Sequence, residues 1–246
     1  GLWLPEGGRA IKETGWLTPV LVGVMMMVSG FTLDTSKLHR QAANVGAITL
    51  VLFSTYCLAP AVAYGLALWL QPAGNTHFLT AVMIMAAQAG SLASALALTV
   101  LSRGNQELAL IFTLLSSSLT VVLTPLVLQL SIGASVEIPL GQMILKMLLI
   151  VVMPVALGQA LRQFLWDKAK PLFMGIRLVP QMIILVFVYS GFSVATEQIN
   201  GNADVVLRIV VVSALLHTIL LAWNFCVSVL LRMDSGTGTA VVFCGS

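Results

Sequence analysis

The chain has 246 residues, of which 59% are hydrophobic and only 9% are charged, and its formal net charge is +3. A water-soluble core cannot bury so much apolar surface, because apolar stretches of about twenty residues recur along the whole chain. The small net charge provides no electrostatic footprint for nucleic acid, so we expect no nucleic-acid partner. The composition therefore predicts an integral membrane protein that has the lipid bilayer as a partner.

Charges, glycines and prolines divide the chain into seven complete apolar segments and one incomplete segment. None shows the alternation of polar and apolar residues, over about ten positions, that membrane barrel strands require. In chain order, the predicted helices are A (17–33), B (43–70), C (77–101), D (108–132), E (140–164), F (173–194), G (205–231) and H, which begins near Gly238. The predicted fold class is all-α: a polytopic helical membrane protein that forms a single, partial transmembrane domain over residues 1–246.

The Lys and Arg residues are distributed unevenly between the two sides of these helices. Eight lie after A, C, E and G, and four lie on the opposite side. The first group is Lys37, Arg40, Arg103, Arg162, Lys168, Lys170, Arg177 and Arg232, and the second is Arg9, Lys12, Lys146 and Arg208. Cytoplasmic loops carry an excess of Lys and Arg, so the first group is predicted to be cytoplasmic. Segment A would then enter from outside, and we expect a further helix before Gly1.

Two pairs of segments resemble each other at nearly the same offset. Residues 29–32 read SGFT and residues 190–193 read SGFS, 161 positions later, while TAV occurs at 80–82 and again at 239–241, 159 positions later. These matches predict an internal repeat, with most of the first copy in 17–132 and an incomplete second copy in 140–246. The charge distribution makes the two copies inverted. A chance match in so apolar a chain is the alternative.

Segment C is interrupted at a depth where a membrane helix is usually apolar. Gln88, Gly90, Ser91 and Ser94 lie within it. Polar groups at that depth are tolerated where they face protein or a water-filled cavity, and inverted repeats with broken helices are typical of secondary transporters. The alternative is a small-residue face on which two helices pack closely. The residues alone leave both interpretations open.

Hydroxyl side chains recur on the next segment. Ser91 and Ser94 are three positions apart on C, and Thr113 and Ser117 are four apart on D, so each pair lies on one helical face. The turn between C and D makes them antiparallel neighbours, which places Ser94 and Thr113 at similar depth, about 9 to 12 Å from the turn. Such oxygens suit a hard cation. We therefore predict an ion site of Ser91, Ser94, Thr113 and Ser117, with Gln88 facing a substrate.

Segment G carries His217 in its middle, with Ser213 and Asn224 near the same face. A hydrogen bond between helices is the alternative to a substrate contact for His217. All nine acidic residues lie at predicted helix ends or in connections, which argues against a proton relay at membrane depth. No catalytic constellation is recognisable, so we predict that the protein is not an enzyme. A channel or a sensor on the same broken-helix scaffold remains the alternative to a transporter.

Residues 92–128, LASALALTVLSRGNQELALIFTLLSSSLTVVLTPLVL, resemble the signature of the bile acid:sodium symporter family, particularly its SBF-like branch of bacterial and plastid proteins. The shared features are a Ser-containing break followed by Leu98-Thr99, Gly104-Asn105 and Thr124-Pro125. Supporting matches are SGFTLDTSKL from Ser29, YCLAPAVAYGLA from Tyr56 and PVALGQALR from Pro154.

The resemblance implies a fold of ten helices in two inverted repeats, divided into a panel and a core in which two broken helices cross. This chain would supply helices two to eight and the first turns of helix nine. The implied function is sodium-coupled symport of an organic anion by alternating access in the bacterial inner membrane, with sodium as the coupling ion and no other cofactor.

The resemblance also maps the family's ligand positions onto this chain. The sodium ligands fall at Ser94 and Ala95 on C and at Ala109 and Thr113 on D, so the two alanines depart from the pattern while Ser94 and Thr113 are the candidate sodium ligands. An amide of a second sodium site in some members falls at Thr55. The candidate substrate-binding residues are then Gln88, Thr55, His217 and Asn224.

The charge distribution generates a test of topology. Single cysteines placed in the loop at 37–40 and in the connection at 168–170 should both be protected from a membrane-impermeant thiol reagent in intact cells, because the Lys and Arg excess predicts that both are cytoplasmic. Labelling of both positions from outside would reverse the predicted orientation.

Overall fold

A computed structural model describes residues 14–32, 44–72, 77–88, 92–132 and 140–246. The regular secondary structure of these residues is entirely helical, which confirms the predicted fold class. The helices are α1 (Leu17–Thr32), α2 (Val45–Leu70), α3 (His77–Ala86), α4 (Leu92–Leu101), α5 (Gln106–Ile132), α6 (Leu140–Met147, Leu148–Val152 and Met153–Ala169 in succession), α7 (Phe173–Gly201), α8 (Ala203–Leu230) and α9 (Ser235–Cys244). Within these described ranges, four stretches are long and apolar enough to cross a membrane: Val45–Leu70, Gln106–Ser131, Ile144–Trp166 and Ala203–Leu230.

Two helices extend beyond their predicted bounds, and in both the additional turn contains polar residues. Segment E was predicted to end at 164, but α6 continues to Ala169. The guanidinium of Arg162 lies 3.8 Å above the ring of Trp166, one turn further on, and this contact supports the extra turn. Helix α9 begins three residues earlier than predicted, because the Asp234 carboxylate accepts a hydrogen bond of 2.9 Å from the Thr237 N–H and caps the helix.

The interruption predicted in segment C is present. Helix α3 ends at Ala86, Ala87 and Gln88 are not helical, and α4 begins at Leu92. Gly90 and Ser91, where the sequence locates the interruption, lie outside the described residues. Of the residues that predicted the interruption, Gln88 therefore lies at the break, whereas Ser94 lies within α4.

Packing divides the chain into two units, each taken from two separate stretches of sequence. The first unit is formed by Gly1–Asp34 and Ile144–Ala203, and the second by Thr35–Met143 and Asp204–Ser246. Each unit thus draws on both predicted repeats. The repeats at 17–132 and 140–246 and the single domain over 1–246 stay predictions, since contacts define the units and sequence defines the repeats.

In the first unit, α1 and α6 pack backbone to backbone at two glycines. A Cβ on Gly158 would lie 2.8 Å from the Phe31 amide nitrogen, and a Cβ on Gly30 would clash with the α6 backbone. The side chains of Gln159 and Arg162 donate hydrogen bonds to the carbonyls of Gly30 and Phe31. Small residues therefore allow the close approach, as is usual between membrane helices.

In the second unit, the turn between α4 and α5 contacts the turn between α8 and α9, and the two turns have similar backbone geometry. The turns contain arginines with positive φ, 55° at Arg103 and 50° at Arg232, and Asn105 and Asp234 then cap the helices that follow. The Asn105 N–H donates to the Gly236 carbonyl at 2.9 Å. This bond joins the turn between α4 and α5 to the first turn of α9.

Candidate functional site

Helix α2 widens into a π-helical turn at Ser54–Leu58, near the middle of its span. Pro60 follows, and a proline lacks an N–H and clashes with the carbonyl four residues earlier, so a wider turn relieves the conflict. Helix α6 has the same relation between its π-helical turn at Leu148–Val152 and Pro154. In α2 the turn buries three consecutive polar side chains, those of Ser54, Thr55 and Tyr56.

These three side chains make different contacts. The Ser54 hydroxyl donates to Oδ1 of Asn224 on α8 at 2.8 Å, and the Tyr56 hydroxyl donates to the Ser116 carbonyl on α5 at 2.6 Å. The Thr55 hydroxyl donates to the Val51 carbonyl of its own helix at 2.9 Å. The π-helical turn is therefore tied to α8 and to α5 on either side of Thr55.

Asn224 is completely buried, and both polar atoms of its amide have hydrogen-bond partners. Besides accepting from Ser54, its Nδ2 donates to the carbonyl of Leu220 on its own helix and to the carbonyl of Gly245, each at 2.9 Å. Gly245 is the first residue beyond α9. A Cβ there would lie 2.9 Å from both polar atoms of the Asn224 amide, so glycine leaves the room that this contact needs.

The end of α3 is held in a similar way. The hydroxyl of Thr124, on α5, donates to the carbonyl of Ala87, the first residue after α3. Both residues are buried. A carbonyl freed by a helix break is expensive to leave unpaired in a membrane. Side chains of α5 and α8 therefore pair the carbonyls that follow α3 and α9.

Between these elements the second unit contains a cavity of about 210 Å³. Its lining combines hydroxyl, amide and imidazole groups with apolar side chains. The lining residues are Thr55, Ala59, Met85, Ala86, Gln88, Ser213, Leu216, His217, Leu220, Cys244, Gly245 and Ser246. Within the described part of the chain, this wall contains no Asp, Glu, Lys or Arg.

Three of the four predicted substrate-binding residues line this cavity. Thr55, Gln88 and His217 contribute to the wall, together with Ser213, whose hydroxyl lies 3.0 Å from the Met85 sulfur. Asn224 lies behind the wall and bonds to Gly245, which is part of it. To donate to a substrate, Asn224 would have to give up its bond to Leu220 or to Gly245, because both amide hydrogens are in use.

The predicted ion-binding residues are described less fully. Ser91 lies outside the described residues, and Ser94 is in the first turn of α4. Helices α4 and α5 pack against each other as predicted. Thr113 is buried, and its hydroxyl donates to the Ala109 and Leu110 carbonyls of α5, whereas Ser117 is exposed. The convergence of Ser94 and Thr113 on a cation stays a prediction.

The two alanines at family ligand positions have an apolar environment. Ala95 and Ala109 both belong to a buried cluster that includes Val51, Phe112 and Val241. Neither side chain offers an oxygen. Among the described residues, no group of three His, Cys, Asp or Glu could hold a metal ion, so a cation here would depend on hydroxyl and carbonyl oxygens.

Sequence reasoning did not single out Ser54 or the hydroxyl of Thr124. A signal for the first exists: a run of three polar residues in the centre of an apolar segment, shortly before Pro60, is typical of a π-helical turn that serves a site. For Thr124 the Thr-Pro motif marked the position, but its partner Ala87 is 37 residues away. Local patterns do not specify such a pairing.

The long apolar helices define a multi-pass membrane protein. The helix break and the cavity beside it are features that secondary transporters share. The profile of the SBF-like CPA transporter family matches residues 1–246, and the chain belongs to that family. This confirms the resemblance seen in the sequence. Because the family is one of transporters, the expectation that the chain is not an enzyme is also confirmed.

Several curated proteins are similar over most of the chain. An uncharacterized protein of Pseudomonas aeruginosa, PA2026, is 30% identical over 209 residues, which are 80% of this chain and 59% of that protein. The sodium/bile acid cotransporter 7-B of Xenopus laevis is 26% identical over 98% of this chain and 72% of its own length. The sodium/bile acid cotransporter 7 of Mus musculus is 24% identical over 97% and 72%. The match thus spans somewhat more than half of the Pseudomonas protein.

The bond from Thr124 to Ala87 predicts a stability effect. Thr124→Val keeps the shape of the side chain but leaves a buried carbonyl unpaired, so we expect a loss of about 1–3 kcal/mol in the free energy of unfolding. Thermal unfolding in detergent measures this loss as a lower melting temperature.

Thr218→Val is the matched control. The Thr218 hydroxyl is exposed and bonds only to the Ala214 carbonyl of its own helix, so its melting temperature should equal that of the wild type. Equal melting temperatures for the two variants would contradict the structural role of Thr124.

Proposed function

We propose that the protein is a secondary active transporter of the bacterial inner membrane that carries a small organic anion in symport with sodium, by alternating access. The observation that carries the proposal is the cavity of the second unit, which adjoins the ends of α3 and α9. Membership of a transporter family supports it. The cotransporters from Xenopus and mouse are named for sodium and bile acid, which supports the same coupling ion and the same broad class of substrate.

The chemistry of the cavity wall favours an anionic substrate. The Gln88 amide and the His217 imidazole supply N–H donors, whereas the hydroxyls of Thr55 and Ser213 donate to carbonyls of their own helices. The described wall has no carboxylate that would repel an anion. The apolar residues Leu216 and Leu220 suit the carbon skeleton of an organic acid.

The cation is proposed to bind between α4 and α5. The Thr113 hydroxyl uses its hydrogen for the helix carbonyls, which leaves oxygen lone pairs for an ion. Ser94 is the second proposed ligand, with Ser91 and Ser117 nearby in sequence. Neutral oxygens of this kind are ligands for a hard monovalent cation.

Transport assays on the full protein in proteoliposomes test the proposal. An inward sodium gradient should increase the uptake of at least one member of a panel of labelled carboxylates that includes a bile acid. Ser94→Ala and Thr113→Ala should each raise the sodium concentration for half-maximal activation about tenfold, because each removes one oxygen from the ion.

Ser131→Ala is the control, since the Ser131 hydroxyl bonds only to the Val127 carbonyl near the other end of α5. Anion flux that does not depend on the sodium gradient would favour the alternative function, a channel on the same scaffold. If Ser94→Ala and Thr113→Ala lower the melting temperature but leave sodium activation unchanged, the small-residue packing interpretation is correct and the ion site is wrong.

A further inference from the structure

Asn224 lies behind the cavity wall. Its side chain is hydrogen-bonded to α2 and to the backbone that follows α9, and both contribute residues to that wall. One of these residues is Thr55, whose chain neighbour Ser54 donates to the Asn224 oxygen. The other is Gly245, whose carbonyl accepts from the Asn224 nitrogen. One buried amide thus connects the π-helical turn of α2 to the backbone that follows α9.

The geometry of this connection leaves little freedom. Both bonds between elements have the usual length of a hydrogen bond, 2.8 Å to Ser54 and 2.9 Å to Gly245. A third bond, to the Leu220 carbonyl, fixes the orientation of the amide on α8. Its oxygen accepts and its nitrogen donates, so only one orientation of the amide satisfies all three partners. A Cβ at Gly245 would fill the space that the amide occupies.

We propose that Asn224 is a positioning residue, which sets the separation of Thr55 and Gly245 across the cavity without itself contacting the substrate. The proposal rests on the proposed function, since it assigns the cavity wall to substrate binding. If the amide is lost, the segment after α9 is free to move away from α2, and the wall residues no longer meet the substrate at the same distance.

Cys244 is a natural reporter of this movement. It is buried, lines the cavity and precedes Gly245 directly. The other two cysteines of residues 1–246, Cys57 and Cys226, are exposed. Replacing both, together with any cysteine of the full protein outside these residues, with alanine leaves Cys244 as the single thiol. The Cys244 thiol lies 3.8 Å from the Ala109 carbonyl of α5. Its rate of alkylation by N-ethylmaleimide therefore measures, independently of transport, how often the end of α9 separates from its neighbours.

The experiment compares two variants of the full protein that remove different numbers of hydrogen bonds at Asn224. Ser54→Ala removes one bond to the amide and should increase the alkylation rate of Cys244 about fivefold, as expected for one hydrogen bond. Asn224→Ala removes all three and should increase it more. If Asn224→Ala does not fold, Ser54→Ala still decides the matter.

Tyr56→Phe is the matched control. It deletes a buried hydroxyl from the same π-helical turn, but the partners of that hydroxyl are the Ser116 carbonyl and the hydroxyls of Ser116 and Thr120 on α5, and neither residue is part of the cavity wall. Its alkylation rate should stay at the wild-type value. Equal rates in Ser54→Ala and Tyr56→Phe, whether low or high, overturn the proposal, because a purely structural bond would affect both variants alike.

Uptake measurements separate this proposal from the proposed function. Ser54→Ala should raise the substrate concentration for half-maximal uptake severalfold while the maximal rate per folded transporter is retained. A reduced maximal rate at an unchanged half-saturating concentration overturns the positioning role. Absence of uptake by the wild-type protein overturns the proposed function, and the alkylation rates then still decide whether Asn224 holds the segment after α9.

Discussion

The structure of the second unit depends on one constraint: inside a membrane, backbone groups released by a helix break need partners from the protein itself. One carbonyl lies at the break after α3, and a second carbonyl directly follows the last residue of α9. Thr124 donates to the first, at Ala87, and Asn224 donates to the second, at Gly245. Neighbouring helices therefore hold the broken ends, and the polar residues that do so are buried in helices that are otherwise apolar.

The same constraint shapes the cavity. Pro60 requires a wider turn in α2, and this turn directs Ser54 and Tyr56 to partners on α8 and α5 while Thr55 faces the cavity. The cavity thus lies among elements fixed by hydrogen bonds and contains groups, such as Gln88 and His217, that are available to a ligand. Rigid surroundings of this kind favour a defined binding geometry.

Much of this arrangement follows from sequence patterns. Apolar length predicted the helices, the polar interruption in segment C predicted the break, and the ordered motifs predicted the family. Three of the residues that line the cavity, Thr55, Gln88 and His217, are predicted substrate contacts, and that role stays a prediction. The bond between Ser54 and Asn224 joins residues 170 positions apart, and no periodicity specifies it. Helix ends were misjudged at Ala169 and Ser235 because apolar runs mark membrane depth, whereas capping and stacking of polar side chains decide where a helix begins and ends.

The central claim is that the cavity of the second unit binds the transported anion. The most direct measurement is the rate of alkylation of Cys244 in the otherwise cysteine-free protein as the concentration of the transported anion is raised. An anion in the cavity would cover the thiol, so the alkylation rate should fall, with half-protection at the concentration that half-saturates uptake. An alkylation rate that stays constant at concentrations that saturate uptake would contradict the claim, because the anion would then bind elsewhere.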